Sequence, residues 1–172
     1  MMTNSARTVG RALNRLSVAC RDEVTALDPA ARRMGGERGA RLRMQSARRA
    51  VFVHDLAAGV LALGGTPASQ PSYGARASAA LRSVRELATG VHQGSHYVAC
   101  EHAAEKTADA CSHALGLQLP ADVRFGVERQ LAEVSFDQKE LHWLRFGGDP
   151  SGAPGKGLLW TDGNRPSENV QP

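Results

Sequence analysis

Apolar residues recur at helical spacing in four long stretches of this chain. Val9, Leu13, Leu16, Cys20, Val24 and Leu27 lie three or four residues apart, on one face of a helix beginning near Ser5. Pro29 lacks an amide proton and crowds the preceding turn, so a kink or stop is expected there, and Gly35 and Gly36 mark a definite break. A second helix is expected over about Glu37–Leu63, with Met44, Ala47, Val51, Phe52, Leu56, Val60 and Leu63 as its inward stripe; Gly64, Gly65, Pro67 and Pro71 end it. A third runs from about Ser95 to Leu115 on a seam of Tyr97, Glu101, Ala104, Ala108, Cys111 and Leu115. The fourth starts near Ala121, with Asp122 at the positive end of its dipole, and continues to Arg145. Its inward side reads Val127, Leu131, Val134, Leu141 and Leu144, interrupted by one amide, Gln138.

The second and third long helices are separated by a long connection. Its Ala-rich part, Ala75 to Leu87, predicts a short helix, because a structureless loop of that length is unusual. From Phe146 onward Gly, Pro and Asp dominate and no helical period survives, which predicts a disordered tail. The chain therefore reads as all-α: one domain over 5–145 and a flexible Gly/Pro-rich tail over 146–172. The architecture expected is a four-helix bundle whose single long crossover, containing the short helix, carries the chain along the bundle between helices 2 and 3. That is the ferritin-like variant of the topology.

Composition refines this picture. Of 172 residues 42% are hydrophobic but only 5% aromatic, so the core must be built from Leu, Val and Ala. The net charge of +4 is unevenly spread: residues 1–50 hold eleven Arg and four acids (+7), and the remainder ten bases and thirteen acids (−3). Arg7, Arg11 and Arg15 share a helix face, which suits phosphate contact. No aromatic residues interleave them and no nucleic-acid-binding signature is present, so a solvated face is the expectation. Cys20, Cys100 and Cys111 are odd in number and form no CxxC pair; small buried hydrophobes in a reducing cytoplasm are expected. The N-terminal residues lack the apolar core of a signal peptide, and the longest apolar run, 56–63, is too short to span a bilayer.

The blocks CRDEVTAL, FVHDLAAGVLALGGTP, ACEHAAEKTADACSHAL and ERQLAEV, in this order and spacing, resemble a bacterial ferritin-like family catalogued as a domain of unknown function. The likeness covers roughly residues 10–145. It rests on Cys20 and Asp22, on Phe52, Asp55 and Leu56, on Cys100 and Glu101, and on Gln130 and Glu133. The resemblance implies a ferritin-like bundle and supplies no activity. The chain departs from the family pattern at Gln138, where a histidine is usual, at Val24 and Thr25 after Glu23, and at Ala104, where a second acid is usual. Gln138 is then a candidate for the position of a lost metal ligand.

Dinuclear carboxylate sites in bundles draw acids from two helices and a Glu-x-x-His pair from each of the other two. This chain has no Glu-x-x-His. The candidate ligands left are Glu101, Glu133, Asp55, Asp22, Glu23 and Asp137, for iron or manganese if any metal binds. A lone carboxylate in an apolar core is costly, so Glu101 must be paired, protonated, hydrated or metal-bound. The competing reading is a buried polar network of Gln138, Glu101 and His54. In the tail, Leu158, Leu159 and Trp160 form an apolar island of the kind that docks on a partner or folds back on the bundle.

Two functional readings follow. The preferred one is a non-catalytic binding or structural protein, stress-related and dimeric, with a degenerate metal site and no cofactor expected beyond iron or manganese. The alternative is a carboxylate metalloprotein handling iron, oxygen or peroxide. Nucleic-acid binding by the basic N-terminal half ranks third.

Overall fold

The computed structural model describes residues 4–89 and 93–146. Its elements are α1 (Asn4–Met34), α2 (Gly36–Ala62), α3 (Tyr73–Thr89), α4 (Gln93–Leu115) and α5 (Ala121–Arg145), with no strand among the described residues. The helix boundaries fall within about two residues of those expected, because Gly and Pro act locally on the backbone. The tail expected to be disordered, with its docking candidates Leu158, Leu159 and Trp160, lies outside the described residues beyond Phe146.

Of the kink or stop expected at Pro29, the stop is not there. α1 continues through Pro29 to Met34. The missing amide bond is offset by packing: Ala30 and Ala31 are buried with Leu27, Leu42 and Leu144. The chain reverses instead at Gly35 and Gly36, whose φ angles of 60° and 48° suit residues without a Cβ.

α1 packs on α2 and α4; α5 packs on α4 and, more sparingly, on α2; α3 lies against α1. Leu13 meets Gly59, Glu23 meets Arg49, Asp28 meets Ser46 and Ala31 meets Gly39, so α1 and α2 run antiparallel. α2 and α5 are antiparallel too, from Arg41 beside Glu140 to Phe52 beside Gly126. The result is a bundle-like helical arrangement. Side chains of α1 fasten the connection after α2: Asn14 binds the backbone of Thr66 and Ala68, and Asp22 accepts from both the amide and the hydroxyl of Ser72 at 2.7 Å.

Gly39 shows how close the α1–α2 approach is. A Cβ there would lie 2.6 Å from the backbone oxygen of Ala31. Gly39→Ala should therefore cost about 1–2 kcal/mol, although alanine is the better helix former. Urea unfolding checks this, and an equal or higher midpoint would contradict so tight a contact.

The buried positions differ from the expected stripes in a systematic way. On α5 they are Val127, Gln130, Val134, Asp137, Leu141 and Leu144, a strict alternation of three and four. Asp137 is fully buried, whereas Gln138 is only half-buried, so the amide is not the inward polar group. On α1 Glu23 is buried and Val24 half-buried. On α2 the expected stripe is wrong in its first half. Met44, Ala47 and Val51 are exposed, while Leu42, Gln45, Ser46 and Arg49 point inward. Carboxylates on the neighbouring helices supply the physical reason.

Candidate functional site: a buried ionic layer

The apolar core is split in two. One cluster gathers residues 9–20 of α1, 52–60 of α2, 110–114 of α4 and Val127 of α5. The other gathers 26–31 of α1, Leu42 of α2, 97–104 of α4 and 134–144 of α5. Each gap between them is filled by a buried polar side chain: Glu23 on α1, Gln45, Ser46 and Arg49 on α2, Thr107 on α4 and Gln130 on α5. A polar layer thus crosses the middle of the molecule.

Arg49 is its centre and the largest fully buried side chain. Its Nε donates to Glu23 Oε2 at 3.0 Å and its Nη2 to Asp137 Oδ2 at 2.8 Å. Arg48 donates from the side to Asp137 Oδ1 at 2.7 Å, and Glu133, 34% exposed, stands 4.0 Å from Arg49 Nη1. Glu23, Arg49 and Asp137 are each at most 1% exposed. Burial disfavours the Arg49 charge, but Glu23 and Asp137 outweigh it and hold the guanidinium above its ordinary value. Burial also pushes the Asp137 carboxyl up to about 6, against the pull of Arg49 and Arg48. Arg49 Nη1, Glu23 Oε1 and Gln130 Nε2 lack a hydrogen-bond partner among the described residues, so the layer is charge-paired but not saturated.

The thiols beside this layer are inert. Burial raises Cys20 well above its ordinary value and Cys111 to about 12, and all three cysteines are buried with no disulfide between them. A second network extends the layer towards the α1–α2 turn. Buried Gln45 donates to Glu140 at 2.8 Å, and Arg41 bridges Glu140 and Glu37.

The six candidate metal ligands are dispersed. Glu23 and Asp137 do converge, but on a guanidinium. Glu133 stands at the edge of the layer and also pairs with Arg129 at 3.8 Å. Asp22 turns away from it to hold Ser72. Asp55 is exposed. Glu101, 21% exposed, accepts from Arg145 at 2.9 Å and faces His142 at 3.7 Å. Among the described residues no group of three or more His, Cys, Asp or Glu is placed to hold a metal ion. The expected network of Gln138, Glu101 and His54 is likewise not formed as a buried unit. His54 is exposed, and Gln138 and Glu101 line a shallow outer hollow with His142.

Arg49 and Gln45 were missed because polar residues are assigned outward by default. The usable signal was spacing. A strict three-four alternation extended from Leu42 gives Gln45, Arg49, Phe52 and Leu56, and extended back from Leu144 through Leu141 it gives Asp137 rather than Gln138. Arg7, Arg11 and Arg15 are exposed on α1. No described helix is long and apolar enough to cross a membrane. The chain matches no protein-family model, no curated protein and no solved structure with which it was compared.

Proposed function

We propose that this chain is a ferritin-like four-helix bundle that serves as a non-catalytic binding or structural protein, with an internal arginine where a carboxylate bundle would hold its metal. One observation carries the reading: the fully buried Arg49 guanidinium lies between Glu23 and Asp137. Bundle metal sites use inward carboxylates to neutralise cations. Here the cation is covalently part of the chain, and a divalent ion beside it would meet like charge with the acids already engaged. The residues therefore do not fit a resident dinuclear centre. The antiparallel contacts of α1 with α2 and α4, and the long connection between α2 and α4, support the ferritin-like topology. Buried cysteines with no disulfide between them suit a reducing cytoplasm. Exposed Met44 and Val51 on α2, with Phe136 and Trp143 on α5, support self-association as a dimer.

Elemental analysis after incubation with Fe(II) or Mn(II) tests the reading. The wild-type chain should retain far less than one ion per chain. Stoichiometric metal, lost on Glu23→Ala, would sink it and favour the metalloprotein alternative.

A further inference from the structure

We propose that the segment Gly157–Trp160 of this same chain docks into the apolar groove between α2 and α5. The groove has a volume of about 610 Å³. Its floor is Phe52, Leu56, Gly59, Leu63, Val123 and Gly126. Phe125, 66% exposed, stands at its wall. It lies between α2 and α5 on the side of the Arg49–Asp137 pair away from the α1–α2 turn.

Chain length and charge select the occupant. α5 gives way to the onward chain at Phe146, and the near end of the groove, at Arg129, is 17 residues back along the helix. That is about 26 Å at the helical rise. Twelve steps of chain lead from Phe146 to Leu158, and at the extended polyproline spacing they reach about 37 Å. Pro150 and Pro154 favour extension over this stretch, and its Gly and Ser give no reason for a competing helix. The span is therefore covered with slack, and the apolar run arrives after a linker without another large apolar residue. Leu158, Leu159 and Trp160 offer the chemistry that the floor lacks a partner for. Lys156 precedes the run, and the lining carries two acids, Asp55 and Asp122, against one base, Arg129. The inference is independent of the functional reading above.

Fluorescence of a single-tryptophan protein tests it. The chain has two tryptophans, and Trp143 is 55% exposed, so Trp143→Phe leaves Trp160 as the reporter without touching the core. In this full-length variant Trp160 should emit blue-shifted from a free KGLLWTD peptide and be several-fold less quenched by acrylamide. Gly126→Leu should restore peptide-like emission by filling the groove; a Cβ at 126 meets nothing nearer than Phe52 at 3.9 Å. Ala58→Arg, at an exposed rim position, provides the same block without entering the core should the first variant unfold. Peptide-like emission from the unblocked protein overturns the proposal, as does a blue shift that both blocking variants leave unchanged. A blue shift that fades on dilution overturns it in favour of a groove filled by a second copy.

Discussion

Replacing Arg49 by methionine should lower stability by about 3–5 kcal/mol, the usual cost of breaking a buried ion pair from one side. That is a large share of a typical folding free energy, and for a domain of this size the melting temperature should fall by roughly 10–15 °C. The loss comes less from the contacts removed than from what remains. Glu23 Oε2 and Asp137 Oδ2 would keep their burial and lose the donor they share. The triple variant Glu23→Leu, Arg49→Met, Asp137→Leu should recover most of the deficit, because no unpaired charge is left in the core. Calorimetry on both variants distinguishes this from a packing effect: a triple variant as unstable as the single one would show that the shape of Arg49, not its charge, matters. Broadened amide resonances in an otherwise stable triple variant would show that the layer fixes the axial register of α1, α2 and α5.

The second large effect is on pH dependence. Asp137 has an ordinary value of 3.8 and is raised to about 6 in the folded chain. Between these limits the folded state binds the proton more tightly than the unfolded state does. Stability contributed by this carboxyl is therefore full below about pH 4 and lost as pH rises through about 6. The interval corresponds to up to about 3 kcal/mol. Denaturant titrations at pH 4.5 and pH 7 should show this component in the wild-type chain and not in Asp137→Asn. Identical pH dependence in the two proteins would rule out Asp137 as its source. The same logic links the two predictions: the Arg49→Met deficit should shrink on acidification, as Asp137 is neutralised by a proton instead of a guanidinium.

How legible was the candidate site beforehand? Glu23 and Asp137 stood among the acids singled out from sequence, yet as ligands to a metal rather than as partners of Arg49. The ionic layer was hidden because hydrophobicity gives a charged residue no inward weight. An arginine among eleven in the first fifty residues carries no mark of its own. Glu101 was chosen for its place among small apolar residues, but α4 turns Cys100 and Ala104 inward and leaves Glu101 at the edge, within reach of Arg145.

The sequence by itself determined the number of long helices, their ends and the short helix in the crossover. These depend on neighbours along the chain: glycines that allow the turn at 35 and 36, prolines at 67, 71 and 120, and alanine-rich interiors. Tertiary structure decided which residue of each adjacent pair faces the core: Glu23 over Val24, Gln45 over Met44, Asp137 over Gln138. It also carried α1 past Pro29. The physical reason is that a buried charge is tolerable only when its counter-charge is buried beside it. For Arg49 the counter-charges lie 26 and 88 residues away in the chain, on two other helices.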